Sequence, residues 1–344
     1  MPADVPSMGS AIIVVTDASA GAGEDAAAAA DAAAAKGGAL AKSLGLELFS
    51  FRGQTRPRYY SIGEALAAAE AALAGDSVAI PAAARGADNC GPIVIADVWD
   101  NPGGGTAGDA TWIVRRCIED RVDGEFSFIY RYIPRESCSQ FDSLPLTSLT
   151  KGVAFSTVWD PQAVRLCHAA GEGAALQLRF GGKTAPAADS GDPIDARVTV
   201  LRVVRDATHS FATSVVPLGD CALVEIAWPR VAAEEGGAGE QPAGAVRVIL
   251  NTNRTQTFSP SAFTNMGCDL RAQRILVVKS TNHFFPAFQR IARAVFYVDT
   301  ALDAASPYPS DPTKTRYTKL SREIWPIVDD PHGIGSPHVP WVRA

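Results

Sequence analysis

A run of apolar residues that breaks into a carboxylate, an amide, a proline and three glycines constrains this chain more than any other part of it. Ile93-Val94-Ile95-Ala96 reads as a buried strand. Asp97-Val98-Trp99-Asp100-Asn101-Pro102-Gly103-Gly104-Gly105 follows, and Asp109-Ala110-Thr111-Trp112-Ile113-Val114-Arg115-Arg116 starts like a helix. Strand, glycine-rich loop and helix N-terminus make an anion-binding corner, because the first turn of a helix carries unpaired N–H donors and the positive end of its dipole. Consecutive glycines cost backbone entropy and are kept where the chain takes positive φ or approaches a neighbour closely. A tight strand-to-helix turn with no ligand satisfies the same pattern. Both readings stay open, with Asp100, Asn101, Gly103, Gly104, Gly105 and Asp109 as candidate substrate contacts.

The flanks of this corner argue for a layered α/β fold. Ala11 to Asp17 is a strand-like apolar run, and the alanine-rich stretch from Glu24 to Leu44 favours helix. Gly45 is a stop signal, after which Leu46 to Phe51 alternates as a strand does. Ser61 to Leu73 predicts a second helix, with Ser61 as N-cap and Glu64 completing a capping box. Strand–helix–strand–helix–strand order implies a parallel sheet. Val153 to Val158, Ala174 to Phe180, Ala196 to Val204, Cys221 to Ala227 and Ala245 to Asn251 then predict strands. The pattern returns to α/β with a strand at Arg274–Lys279, a helix at Pro286–Ala294 and a strand at Val295–Val298. The fold class is therefore α/β: a mixed sheet with a parallel βαβ module and a strand-rich antiparallel portion.

Composition excludes several classes of function. The 344 residues carry a net charge of −6, so no nucleic-acid partner is expected, since neutralising phosphates needs clustered Lys and Arg. Every apolar run is shorter than the ~20 residues a bilayer requires, so no membrane partner is expected either. The N-terminus lacks the basic and apolar regions of a secretory signal, which makes the cytoplasm the expected compartment. Six scattered cysteines form no CxxC pair and are expected to be mostly reduced, half-buried thiols. Five dispersed histidines form neither HExxH nor His-x-His, so spacing predicts no self-contained metal cage.

Three further segments place polar groups at the end of an apolar strand. Asp160-Pro161 reads as a helix N-cap followed by N1. After Ile249-Leu250, Arg254 and Gln256 are alternate residues of an extended stretch and can point to one side. An Arg at a strand end suits bidentate carboxylate recognition, although a surface Arg is the commoner outcome. After Val277-Val278 come Lys279, Ser280 and, beside two phenylalanines, His283, which can serve as a proton donor or an orienting group. Residues 124–152 have no helical or strand period. They read as a mobile surface insert or as translated intron, the second being preferred.

Taken together, DNPGGGTAGDATWIVR, VWDPQAV, NRTQTFSP, RILVVKSTNHFFPAF and the late REIWPI resemble, in this order, the C-terminal domain of the microcystinase C (MlrC) family of metallopeptidases. The resemblance extends from about Ser7 to about Val328 and is broken by residues 124–152. It implies residues 1–10 as the remnant of an interdomain linker, 11–328 as the C-terminal-type domain, and 329–344 as a tail. Family members are cytoplasmic hydrolases that open peptide bonds of linearised cyclic peptides with a zinc ion, and an N-terminal domain supplies the metal ligands. No zinc ligand carries over, so this chain by itself is expected to bind no zinc. The resemblance instead places Asp100, Asn101, Gly103, Gly104, Gly105, Asp109, Gln256 and Ser280 as substrate contacts, and His283, Lys279 and Arg254 as oxyanion or substrate stabilisers. The function it implies is the substrate-cleft half of a zinc metallopeptidase acting on linear peptides, inactive alone. The expected partners are a peptide substrate and an N-terminal metal-binding domain or partner chain. The alternative is a non-catalytic module that holds an anionic small molecule or peptide carboxylate at the glycine loop.

Overall fold

A computed structural model describes residues 11–17, 26–51, 57–76, 80–119, 152–227 and 245–300. The chain divides into two compact units, Met1–Arg58 with Arg316–Ala344, and Tyr59–Thr315. The expected linker at 1–10, the tail at 329–344, the loop at Glu234–Gly239, the REIWPI motif and nearly all of the 124–152 insert lie outside the described residues.

In the first unit one helix, α1 (Ala26–Ser50), runs through Gly45 and through the stretch expected to be a strand. Extending a helix already formed by Ala, Leu and Lys fixes one residue per hydrogen bond gained, and three alternating apolar residues cannot compete with that. Residues 11–17, also expected as a strand, have no strand pairing. They lie along the helix, with Thr16 against Gly37 and Ile12 near Gly45, where a Cβ at Gly37 would come within 2.7 Å of the Thr16 side chain.

The second unit contains β1 (Tyr59–Tyr60), α2 (Ile62–Leu73), β2 (Ile93–Asp97), α3 (Trp112–Glu119), β3 (Gly152–Trp159), α4 (Pro161–Ala170), β4 (Ala175–Phe180), α5 (Ala187–Ser190), β5 (Ile194–Phe211), β6 (Ser214–Ala227), β7 (Ala245–Asn251), α6 (Ser261–Thr264), β8 (Gln273–Lys279), α7 (Phe285–Phe288) and β9 (Ala294–Val298). The strands form one sheet in the order β1-β9-β2-β8-β3-β7-β6-β5-β4. Pairings from β1 to β7 are parallel, and those among β7, β6, β5 and β4 are antiparallel. The expected mixed sheet is therefore the observed one.

Both faces of the sheet are covered, which is why β2 is buried at all five positions. On one face, α2, α3 and α4 supply Leu66, Ala69, Ile113, Val114, Val164 and Cys167 to the core. On the other, Phe263, Met266, Phe284 and Phe288 come from around α6 and α7. Connections from β1 to β2 and from β2 to β3 advance one way along the sheet, and those from β7 to β8 and β8 to β9 advance the other way. Right-handed crossovers then require their helices on opposite faces, as found. α2 starts at Ser61, whose hydroxyl accepts from Glu64 N while the Glu64 side chain accepts from Ser61 N, the expected capping box. The helix expected at Pro286–Ala294 shrinks to the single turn α7, because Arg293 N already donates to Pro92 O and Ala294 opens β9. Cys117, Cys167, Cys221 and Cys268 are buried, more deeply than the half-burial expected.

β5 and β6 are longer than the sequence pattern predicts, and their excess has a structural use. β7 stops pairing at Asn251, opposite Cys221, while β5 and β6 continue to Phe211 and Ser214. This two-stranded arm therefore projects past the carboxyl ends of the parallel strands. An isolated hairpin is marginal in water. Here Ser210 N donates to Ser261 Oγ (2.9 Å), Asn265 Nδ2 to Thr208 O (2.8 Å) and Asn253 N to Leu218 O (3.0 Å). His209 stacks on Phe258 at 5.2 Å, is buried, and has neither ring nitrogen hydrogen-bonded among the described residues.

Burial pushes the His209 pKa down to about 4 from 6.5. Between those values the unfolded chain binds the extra proton, so His209 makes stability fall as pH drops from 6.5 to 4. His209→Phe is expected to reduce that acid loss and to leave the urea midpoint at pH 7 equal or higher. An unchanged slope of stability against pH across this window would contradict the assignment.

Candidate functional site

Every candidate residue lies on a loop at the carboxyl edge of the parallel strands, or at the strand end that feeds it. Asp100, Asn101, Gly103, Gly104, Gly105 and Asp109 follow β2; Arg254 and Gln256 follow β7; Lys279 ends β8, and Ser280 and His283 follow it. β2 and β3 send their chains to one face of the sheet and β7 and β8 to the other. Ligand crevices in open α/β sheets form at such divergences.

The base of this edge is ionic. Asp97 ends β2 and Lys279 ends β8, and the two are register partners in parallel strands. Lys279 Nζ donates to Asp97 Oδ2 (3.1 Å), Asp100 Oδ2 (2.8 Å) and Ala110 O (3.0 Å). An ammonium has three protons, and all three have acceptors. Asp100 also accepts from Gly108 N (2.8 Å) and Ala110 N (2.7 Å). Burial works to raise the Asp100 carboxyl, but the Lys279 charge and hydrogen bond and the two amides outweigh it and hold it below the ordinary carboxylate range. Asp97 goes the other way: burial raises it, the Asp100 charge adds to that, and Lys279 only partly offsets them. Burial disfavours the Lys279 charge, yet Asp100 and then Asp97 overcome it and raise the lysine above its usual value.

The glycine loop is thus an anion-binding corner whose anion is the chain's own Asp100. Its glycine amides are also spent internally. Gly103 N donates to Asn101 Oδ1 (2.9 Å), Gly104 N to Asn101 O (2.8 Å) and Gly105 N to Pro102 O (3.0 Å). Gly105 caps this short 3-10 turn at φ 100°, and a Cβ at Gly103 would sit 2.4 Å from Gln256 Nε2, so both positions require glycine. Gly104 is open to solvent, with nothing within 4 Å of a Cβ built there. Neighbouring loops are tied in. Asn101 Nδ2 donates to Thr281 Oγ1 (2.7 Å), and Ser280 Oγ donates to Gln256 Oε1 (2.9 Å).

The other candidates separate by exposure. Asp109 is buried and accepts from Lys183 N (2.8 Å), Thr184 N (3.0 Å) and Thr184 Oγ1 (2.7 Å), so its carboxylate pins the loop before α5. Lys279 and Ser280 are buried as well. Arg254 and His283 are exposed. Arg254 makes no hydrogen bond or ion pair to any described residue. The His283 ring lies 5.2 Å from Phe211 and 5.9 Å from Phe258.

Asp160 is the expected N-cap of α4, accepting from Ala163 N (2.9 Å), and it also pairs with Lys183 at 2.8 Å. Two features escaped the sequence reading. Asp97 is the charged end of an otherwise apolar buried run, and a buried carboxylate demands a partner, which was the available signal. A buried hydroxyl cluster joins Thr257 to Ser156 and, at 3.0 Å, to Thr157, whose φ of 48° marks a bulge in β3. No sequence signal announces it. A concavity of about 450 Å³ lies elsewhere, between Leu201, Arg202, Leu223, Arg247 and Met266.

The donors at this edge do not suit a zinc ion. The Asp100 and Asp109 carboxylates are committed to amides, a hydroxyl and Lys279, and Asp97 to Lys279, to Asp100 N and, at 3.4 Å, to the Thr300 hydroxyl. Among the described residues no three His, Cys, Asp or Glu side chains are placed to hold a metal together. No helix among them is long and apolar enough to cross a membrane.

The family model described as MlrC C-terminus matches residues 95–319. Microcystinase C of Sphingomonas sp is 26% identical over 236 residues, covering 69% of this chain and 36% of that protein. The chain therefore spans about a third of the length of that relative. The crystal structure of a protein named as a putative metallopeptidase, from Mesorhizobium sp. BNC1, shares the fold with a TM-score of 0.52. The match is 22% identical and covers 83% of this chain and 44% of that one.

Removing the lysine should strand two buried carboxylates. Lys279→Met is expected to cost about 3–5 kcal/mol of stability. Asp97→Asn should cost less than Asp100→Asn, because ionised Asp97 is already disfavoured while Asp100 supports two amides. Urea unfolding of the three variants checks both statements, and a Lys279→Met loss below about 1 kcal/mol would show the pair to be solvated.

Proposed function

This chain belongs to the MlrC C-terminal family, and we propose that it forms the substrate-facing side of a peptidase cleft acting on linear peptides. The observation that carries this reading is the split at the carboxyl edge. A buried ionic base fixes the loops, and Arg254, His283 and Gly104 at the same edge are exposed, Arg254 with no hydrogen-bond or ion-pair partner among the described residues. Arg254 supplies a planar fork of N–H donors suited to a carboxylate, such as the C-terminus of a peptide or an oxyanion that develops during acyl transfer. His283 offers an exposed imidazole on the loop after β8, whose ring nitrogens can donate to or accept from a ligand. Lys279 acts one layer below, by holding the glycine loop in place, since its own protons are all engaged.

No step of this proposal runs through a metal bound by these residues. A zinc-activated water of the kind the family implies would be supplied by an N-terminal metal-binding domain or a partner chain. The chain alone is then expected to bind peptides without cleaving them. The alternative, an anion cradled by the glycine amides, has no free amide at Gly103, Gly104 or Gly105 to work with.

Fluorescence anisotropy with a labelled linear peptide tests the reading. The free-carboxylate form is expected to bind about tenfold more tightly than its amide, and Arg254→Ala should abolish the difference. Gly104→Val, which meets no neighbour in the fold, should weaken binding while leaving the unfolding midpoint unchanged. Equal binding of acid and amide, or chelator-sensitive hydrolysis by the purified chain, would overturn the respective claims.

A further inference from the structure

The arm formed by β5 and β6 ends in an aromatic cluster. Phe211 lies at its tip, 4.4 Å from Phe258 with planes tilted 32°, and meets His283 edge-on at 5.2 Å. Phe258 and His283 are themselves 5.9 Å apart. The three rings come from three separate segments: the end of β5, the β7–β8 connection and the β8–β9 connection. Phe211 is 36% exposed, His283 is exposed and Phe258 half-buried, so ring surface remains open. Rings fixed on the backbone at these separations present faces and edges to which a further ring can add in offset or edge-on geometry.

Position and rigidity favour a ligand over an idle patch. The arm is fastened at its tip by a hydroxyl ring in which Ser210 Oγ meets Ser259 Oγ (2.9 Å) and Ser261 Oγ (3.2 Å), and Ser259 meets Ser261 (2.8 Å). Phe258 is two residues beyond Gln256, and Gln256 packs on Gly103 of the glycine loop. His283 is two residues beyond Thr281, which Asn101 of the same loop holds at 2.7 Å. The ring cluster is thus linked, through two short loops, to Gly103 and Asn101 of the glycine loop. Arg254 lies four residues before Phe258 in the same connection.

We propose that Phe211, Phe258 and His283 form a side-chain subsite that accepts an aromatic residue of a linear peptide bound along the carboxyl edge. This rests on the peptide-binding reading above and adds the class of residue selected. The arm supplies one wall of the subsite, and the loops after β7 and β8 supply the rest.

The test compares two labelled linear peptides of equal length with free carboxyl ends, one carrying a Phe and the other an Ala at the same position. Wild-type chain is expected to bind the Phe peptide about tenfold more tightly, the scale of one added aromatic contact and its burial. Phe211→Ala should bring the two affinities together by weakening only the Phe peptide. Phe211→Leu, which keeps apolar bulk and loses the ring, should fall between, and its unfolding midpoint confirms that the arm is intact. Equal wild-type affinities for both peptides would overturn the subsite and leave the peptide-binding reading standing, and so would discrimination that survives Phe211→Ala. Failure of both peptides to bind would overturn both. A chain dimer that Phe211→Ala converts to monomer would assign the cluster to self-association instead and would also overturn the subsite.

Discussion

The ammonium of Lys279, held between carboxylates that end and follow a neighbouring strand, is the interaction on which the carboxyl edge depends. Two adjacent parallel strands finish side by side in Asp97 and Lys279, so the sheet itself brings the charges together. Asp100 then curls back to the same lysine and also takes the amides of Gly108 and Ala110. One buried cluster therefore closes the loop after β2, sets the entry to α3, and seals the gap between β2 and β8. Its cost is the burial of two carboxylates with a single cation, which raises Asp97 while Asp100 is kept ionised. Buried pairs of this kind add little net stability over apolar packing, but removing one partner is severe, so their main effect is to enforce one arrangement.

Above this base the edge divides into groups that are spent and groups that are open. The loop amides, Asp100, Asn101, Asp109, Gln256 and Ser280 are all engaged in hydrogen bonds within the fold, and that engagement makes the surface rigid. Arg254, His283, Phe211 and the face of Gly104 remain exposed, and on the proposed reading they are the groups a peptide contacts. Rigidity beneath and free side chains above is the division expected of a preorganised recognition surface, since ordering costs are met in folding rather than in binding. Membership of the MlrC C-terminal family gives this surface a context in peptide chemistry.

Much of the architecture was legible in the residues because local physics suffices for it. The Ser61 capping box and the Asp160-Pro161 helix start are carried by side chains that contact their own neighbours in sequence. Failures occurred where a distant partner decides. Leu46 to Phe51 alternates like a strand but is absorbed by the helix that precedes it, and Ala11 to Asp17 finds no strand to pair with. The helix expected after Pro286 is cut short because β9 must begin at Ala294 to reach β2. The overhang of β5 and β6 has no signature in its own composition. It exists because the 254–265 segment offers Phe258, Ser261 and Asn265 to hold it.

The same division runs through the candidate site. From the residue order alone followed the placement of the candidates at the ends of apolar strands, the glycine-rich turn after β2, and the resemblance that points to peptide chemistry. These follow from strand polarity and backbone sterics, which act within a few residues. Which polar groups are consumed and which remain available was decided only by the tertiary structure. Lys279 and the loop amides, attractive as donors in the sequence, are saturated because Asp97, Asp100 and Asn101 fold onto them. Arg254 stays open because no described carboxylate reaches it. A donor's availability depends on what the rest of the chain brings within about 3 Å of it, and that information is not local.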